Sequence, residues 1–525
     1  MSTTEAPPPA PAYNFTHRQI QTIFGGLMAG MFLAALDQTI VATALPTIVG
    51  EFGGLDHISW VASAYLLTTT AIMPLAGKLS DLYGRRVLFQ ASILVFLLGS
   101  LLAGASQSMG QLIAFRAVQG LGAGGLLVLT FTIIGDIVSP RERGRYQGYT
   151  AAVFAVASVA GPLIGGFLVD QVSWRWIFYV NVPVGGAALV ITSAVLRMPV
   201  RRTGHSIDYL GAALLMGAIT CLILFTVWGG NEYDWGSATI IGLAVGGGVL
   251  LGAFLFQERR AREPVLPPVL FRNGVFSVAF VTAFIVGVSM FGAILFLPVY
   301  LQIVKGASAT NSGLLLLPIM SGILVGSTTC GRIITRVGRY KAFPIVGLAM
   351  MTVGFFLFST MDTNTPRTLS SAYMALVGIG IGFVTPVIVL AVQNAIHPRH
   401  LGAATSAVTF VRTMGGAFGA AIFGAVLTAR FSVNLAAELP PSAREGIDAA
   451  RLQGSPAQIR ELPAPVQDGV VAAFSASLET VFLCAALIAV AAFVVVCFLK
   501  DLPLRGRGDS QADGVVESFG GEAHL

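Results

Sequence analysis

Asp37 is an acid where hydrocarbon is expected. It interrupts an apolar stretch from about Ile20 to Pro46 in the run Leu36-Asp37-Gln38-Thr39-Ile40-Val41. A carboxylate in a lipid-spanning helix is costly unless it is protonated, paired or open to a watery cavity, so it marks a functional site by default. A second intramembrane charge, Arg116, falls in another apolar stretch. At the helical rise, Arg116 lies roughly 9 Å and Asp37 roughly 14 Å below the same surface, a difference that an arginine side chain can reach across. Pairing favours the ionised carboxylate and separation favours the protonated one. The chemistry on offer is reversible proton binding, set against the plainer readings of a fixed structural ion pair or an arginine bonded to carbonyls. All six histidines fall outside the apolar stretches, which leaves Asp37 as the candidate titrating group by elimination.

Arg412 is a third buried charge, near the middle of a late apolar stretch with no carboxylate partner evident in the second half of the chain. It can hold an anionic substrate group, pair across to Asp37, or cap carbonyls. Gln38, Tyr65, Gln119, Phe154, Asn181, Phe291, Tyr300 and Gln302 are aromatic or polar residues in stretches that can line a cavity for an amphipathic ligand. Glu479 abuts the charge-free run Thr480–Leu499 and is expected at the outer interface. Nothing points to a cofactor or metal: Cys221, Cys330, Cys484 and Cys497 are scattered singly without metal spacing. The run Gly120-Leu121-Gly122-Ala123-Gly124-Gly125 satisfies G-x-G-x-x-G, but no strand precedes it and it lies within a lipid-length helix, so close helix packing is the expected role.

These residues need membrane helices to position them. The 525 residues are 55% hydrophobic and 11% charged, with mean hydropathy +0.79. Hydropathy predicts fourteen spans, near 20–45, 57–77, 87–105, 111–135, 144–168, 174–196, 207–228, 237–256, 274–300, 311–332, 342–361, 370–392, 402–428 and 474–499. Most of the 31 lysines and arginines fall in the connections of one side. Positive charge stays inside, so both termini are expected in the cytoplasm, and the basic excess is a topology signal with no call for nucleic acid. Tryptophans gather at the opposite ends of the spans, as in an aromatic belt. Arginine greatly outnumbers lysine, which hints at a bacterial source and hence the cell membrane.

The chain also repeats itself. Gly77-Lys78-Leu79-Ser80-Asp81-Leu82-Tyr83-Gly84-Arg85-Arg86, between spans 2 and 3, is echoed by Gly331-Arg332-Ile333-Ile334-Thr335-Arg336-Val337-Gly338-Arg339-Tyr340, between spans 10 and 11. Residues 115–122 of span 4 echo 373–380 of span 12. Two parallel bundles of six helices explain both echoes, with spans 7 and 8 inserted between them, and this is a transporter architecture. The expected layout is a cytoplasmic tail 1–19, an N-terminal bundle 20–200, two inserted helices 201–262 and a C-terminal bundle 263–499. That second bundle carries an outer loop at 429–473, and a disordered tail follows at 500–525.

Four motifs then resemble one family. The loop motif on Gly77, Asp81, Gly84, Arg85 and Arg86, the arginine-bearing span 4 (Leu112–Gly125), Gly161-Pro162-Leu163-Ile164-Gly165-Gly166 in span 5, and Leu36–Pro46 in span 1 occur in order at the matching spans. Together they resemble the major facilitator superfamily and, within it, the fourteen-span drug:proton antiporters. The resemblance implies that the loop motif is a latch holding one access state. Asp81 would meet the positive end of a facing helix or Arg85 and Arg86. It also implies that Gly161, Pro162, Gly165 and Gly166 form an antiporter motif, packing tightly against a helix of the other half and marking export.

The expected fold is therefore an all-α polytopic membrane protein, and the expected function is proton-coupled efflux of small amphipathic compounds by a monomer in the lipid bilayer. Exporters of divalent cations carry extra carboxylates in spans 10 and 13 that are missing here, so monovalent, neutral or zwitterionic compounds fit better, and Arg412 leaves anions open. An exporter of an endogenous metabolite, siderophore or lipid is the alternative. A membrane enzyme or scaffold is more distant, since no His/Asp/Glu cluster stands at a membrane edge.

Overall fold

The structure is a computed structural model. It describes residues 16–52, 58–196, 208–230, 232–261, 263–307, 309–439, 459 and 462–504. Among these residues it is built of helices, with only an isolated bridge between Gly229 and Tyr233.

The helices are α1 (His17–Phe52), α2 (Ile58–Tyr83), α3 (Arg85–Gly104), α4 (Met109–Ile137), α5 (Pro140–Gln171) and α6 (Trp176–Val195). The inserted pair is α7 (Tyr209–Trp228) and α8 (Ala238–Glu258). The second set is α9 (Gly274–Val299), α10 (Leu317–Val337), α11 (Ala342–Phe358), α12 (Arg367–Ala395), α13 (Leu401–Glu438) and α14 (Ala464–Cys497). Thirteen of these segments are long and apolar enough to cross a membrane, and α11 is a shorter apolar helix. Side-chain caps set several starts: Ser108, Asp208, Ser237 and Asn273 each accept from a backbone N–H of the first turn. The sharp reversals into α3 and α11 each rest on a glycine with positive φ, Gly84 (94°) and Gly338 (74°).

The two halves repeat each other's packing. In the first, α1 packs on α5 and α6, α2 on α4, and α3 on α4 and α6; in the second, α9 packs on α13 and α14, α10 on α12, and α11 on α12 and α14. Between halves, α2 meets α13 and α5 meets α10, the same seam generated twice. Both echoed glycines stand in these seams. A Cβ on Gly77 would strike Ser406 and the Gly402 carbonyl, and one on Gly331 would strike the Gly144 carbonyl.

Among the described residues the inserted pair leans on the α2–α13 seam. Trp60 of α2 meets Trp228 of α7 edge to face at 5.1 Å, and at the other end Lys78 of α2 pairs with Glu263 at 2.8 Å. Towards α13, α7 leaves an apolar cleft of about 360 Å³ lined by Phe225, Trp235, Phe418 and Ile422.

The helices extend into the segment that hydropathy assigns to an outer loop at 429–473. Helix α13 continues to Glu438 and α14 starts at Ala464, because alanine-rich turns at both ends keep helical propensity after hydropathy falls. The Pro440-Pro441-Ser442 and Ser455-Pro456 signals lie outside the described residues. The C-terminal tail begins ordered. Leu504 N–H donates to the Gly338 carbonyl at 3.2 Å, and the Tyr340 hydroxyl donates to the Lys500 carbonyl at 3.2 Å.

Candidate functional site: a caged carboxylate and a gate at the basic end

Asp37 is sealed in the N-terminal half. Its side chain is fully buried on α1, facing α4, where Arg116 and Gln119 stand three residues apart on one helix face. Arg116 Nη1 forms an ion pair with Asp37 Oδ2, and Gln119 Nε2 donates to Asp37 Oδ1 at 2.8 Å. Gln119 Oε1 accepts from Arg116 Nη1 at 2.7 Å, closing a three-membered ring of polar side chains. Arg116 also donates to the Val61 carbonyl at 3.3 Å and lies 4.2 Å from the centre of the Tyr65 ring. A buried ion pair needs such extra hydrogen bonds to offset its desolvation.

A second layer holds the ring in place. Ser100 Oγ accepts from Gln119 Nε2 at 3.2 Å and from Asn181 Nδ2 at 2.9 Å, and donates to the Phe178 carbonyl at 2.8 Å. The Tyr65 hydroxyl donates to the Ala34 carbonyl at 3.0 Å. Gly99 lets the α3 backbone press on Gln119, since a Cβ there would lie 2.5 Å from the Gln119 nitrogen. The glycines that follow on α4 do the packing expected of them: Gly120 and Gly124 meet the α2 backbone, and Gly122 meets the α3 backbone at Phe96.

Three residues expected to line a substrate cavity, Tyr65, Gln119 and Asn181, therefore belong to the walls of the Asp37 cage. Gln38 turns the other way and is exposed, although it adjoins Asp37. Phe154 of α5 is half-buried against Phe32, Ala35 and Leu36 of α1. Tyr300 and Gln302 sit in a π-helical turn ending α9, at the end opposite the termini, where the Tyr300 hydroxyl donates to the Asp362 carbonyl at 3.0 Å. The backbone of Phe291 lies in α9, and its side chain is outside the described residues. Arg412 is half-buried on α13 and makes no ion pair with Asp37, which Arg116 occupies.

At the basic end the halves are bolted together. Asp81 accepts from the Gly402 and Ala403 N–H groups at 3.2 and 3.0 Å, at the first turn of α13, where the helix dipole favours an anion. Arg85 bridges Asp81 and Asp136, reaching the latter at 2.7 Å. Arg86, grouped with Arg85 by sequence, points elsewhere: half-buried, it donates to the carbonyl of the exposed Ser193 of α6 at 2.9 Å. Adjacent residues on a helix differ by 100° in direction, which separates the two.

The other seam uses a different device. Where the first half has Asp81 the second has Thr335, and Arg141 at the start of α5 donates to the Thr335 and Arg336 carbonyls at 3.0 and 3.2 Å. Between the seams Gln393 of α12 is a buried hub. It donates to the Phe131 carbonyl of α4 at 3.0 Å and to Thr405 of α13 at 3.3 Å, and accepts from Gln147 of α5 at 3.1 Å. Arg143 donates to the Gln393 carbonyl at 3.2 Å. Sequence reasoning missed Asp136, Gln147 and Gln393 altogether and counted Arg141 and Arg143 only as topology charges.

The span-5 motif packs within its own half. A Cβ on Gly161 would lie 2.0 Å from Thr39 Oγ1, and one on Gly165 would lie 2.3 Å from Thr43 Oγ1, both on α1. The partner is thus the helix that carries Asp37, in place of the expected helix of the other half, because α5 presents its start to α10 and this later face to α1. Pro162 sits inside α5, and Gly166 has nothing within 4 Å. Gly161→Val is expected to destabilise the fold by about 1–3 kcal/mol through overpacking, whereas Gly166→Val stays near neutral. Thermal unfolding of the two purified variants checks the contrast, and equal losses would contradict the α1–α5 packing.

The family model for the Major Facilitator Superfamily matches residues 27–420. The chain belongs to the major facilitator superfamily. A transporter of that type from Mycobacterium tuberculosis, itself described as uncharacterised, is 45% identical over 498 residues, covering 95% of this chain and 72% of the relative. Multidrug resistance protein 3 of Bacillus subtilis is 37% identical over 493 residues, covering 92% of this chain and 96% of the relative. In fold the chain is similar to the proton:xylose symporter XylE, with TM-score 0.62 at 14% identity, covering 95% of this chain and 99% of the symporter. The superfamily accounts for the paired seams: a transporter of this kind is a multi-pass membrane protein whose two bundles carry a small molecule between them.

Proposed function

We propose that this chain exports small amphipathic compounds in exchange for protons, with the basic end facing the cytoplasm. The observation that carries the reading is the Asp37 cage: a carboxylate sealed against Arg116 and Gln119, one residue from the exposed Gln38. The multidrug role named for the Bacillus relative supports export over uptake.

The cycle follows from charge. With the basic end bolted shut by Asp81, Arg85, Arg141 and Gln393, the carrier faces outward. A proton from outside neutralises Asp37 and frees Arg116 from its counter-charge. The ring of side chains rearranges, and the α1–α5 contact at Gly161 passes the change to the helix that starts at the α5–α10 seam. The gate opens inward, the proton leaves, and substrate binding favours the deprotonated carrier. Proton and substrate need to bias opposite access states by only a few kcal/mol, since about 5.5 kcal/mol moves a two-state equilibrium from 1:99 to 99:1.

Purified protein in liposomes tests this. An imposed inward proton gradient is expected to drive accumulation of a fluorescent amphipathic dye on the opposite side, and a protonophore is expected to stop it. Transport driven equally well by a sodium gradient at symmetrical pH would overturn proton coupling.

A further inference from the structure

We infer that Arg412 anchors an anionic group of the transported compound, so that the substrates of this carrier include amphipathic carboxylates or sulfonates. The inference rests on the export reading above and adds the charge class.

Depth comes first. Arg412 stands eleven residues into α13, roughly 16 Å along a helix that begins at the basic end and crosses a hydrocarbon core about 30 Å thick. A guanidinium at that depth faces a cavity, a partner or a large cost.

The faces of α13 decide which way it turns. Gly415 and Gly419 press on α9, where a Cβ on either would lie 2.2 Å from the Phe284 or Val288 carbonyl. Gly402 and Ser406 meet Gly77 of α2. Phe418, Ala421 and Ile422 line the cleft towards α7. At 100° per residue, the remaining arc holds Thr405, Thr409, Arg412 and Gly416. Thr405 on that arc meets Gln393, so the arc looks inward, between the halves. Thr405, Thr409 and Gly416 on this arc are buried, and Gly287 of α9 closes on the Arg412 carbonyl, whereas the Arg412 side chain keeps partial exposure, so its guanidinium reaches past the packed surface.

Pairing sets Arg412 apart from the other arginines of the interior. Arg85, Arg116 and Arg143 are buried, and each has several partners. Arg412 has no ion pair or hydrogen bond from its side chain among the described residues. The nearby acids are committed elsewhere: the buried Asp37 to Arg116 inside the N-terminal half, and the half-buried Asp81 and Asp136 to Arg85 at the basic end. A guanidinium presents five N–H donors in a fork that fits a carboxylate or sulfonate side on. With Asp37 neutralised by Arg116, the interior carries one uncompensated positive charge, and an anion arriving from the cytoplasm restores the balance. The same chemistry suits an inorganic anion, so the test separates the two.

The test uses full-length protein in liposomes with an imposed pH gradient, a carboxylate-bearing amphipathic dye and its methyl ester. Wild type is expected to carry both. Arg412→Gln is expected to raise KM for the carboxylate roughly tenfold or more while leaving the ester within about twofold, and Arg412→Lys to recover part of the difference. Equal losses for both dyes in Arg412→Gln, or an unchanged carboxylate KM, would overturn the inference. If chloride competes with neither dye in wild type, a resident inorganic anion is removed as the occupant. If chloride stimulates ester transport in wild type only, Arg412 serves that ion, and the substrate assignment falls. Wild-type transport of the ester without the carboxylate sinks this inference alone, whereas transport of neither dye sinks the export reading beneath it.

Discussion

Asp37→Asn is expected to reduce pH-gradient-driven export to the level of protein-free liposomes while substrate-for-substrate exchange continues. The amide keeps the size of the carboxyl group, and its carbonyl oxygen still accepts from Gln119 Nε2, so the cage keeps its shape. What goes is the charge that binds and releases a proton. The substitution also strands Arg116, and breaking one side of a buried ion pair costs about 3–5 kcal/mol. Arg116 retains the Val61 carbonyl, Gln119 Oε1 and the Tyr65 ring, which lessen that loss. The double variant Asp37→Asn, Arg116→Gln removes both charges and is expected to regain thermal stability without regaining coupling. Measuring unfolding and accumulation together separates folding from mechanism, and full accumulation by Asp37→Asn would remove this residue from the proton path.

Arg85→Ala is expected to lower turnover by roughly tenfold with KM changed by less than about twofold, the signature of a lost conformational step. Arg85 is the cation between Asp81 and Asp136, so its removal sets two acids side by side at the seam of α2 and α13. Repulsion there loosens the closed basic end and biases the carrier away from the outward-facing form. Arg86→Ala is the internal control: its side chain donates only to an exposed α6 carbonyl, and near-normal kinetics are expected. A large rise in KM at unchanged turnover for Arg85→Ala would contradict the latch. So would equal effects of the two alanines.

Much of this was legible in the chain. Fourteen apolar stretches, the one-sided positive charge and the echoed Gly–Gly spacing follow from the bilayer, which admits few solutions to the problem of satisfying backbone groups. The Asp37–Arg116 pair was legible for the same reason, because a charge in hydrocarbon needs an opposite charge at a similar depth.

The rotational facing of each helix was not legible. Tyr65, Gln119 and Asn181 have the same polar character whether they line a cavity or wall in an acid. Arg85 and Arg86 are neighbours in sequence that serve different helices. The glycines of α5 could have packed on either half. Gln393 of α12 ties α4 and α5 to its own half through hydrogen bonds to residues more than two hundred positions away, and nothing local distinguishes it from an ordinary polar residue near a helix end.

The sequence by itself determined what must be buried, how deep it lies and which charges need partners, because the membrane imposes one axis on the chain and composition along it is read directly. Only the tertiary structure decided which side chains meet across helices. Direction around a helix axis is set by packing against neighbours, and in an almost uniformly apolar helix hydrophobicity carries too little contrast to reveal it.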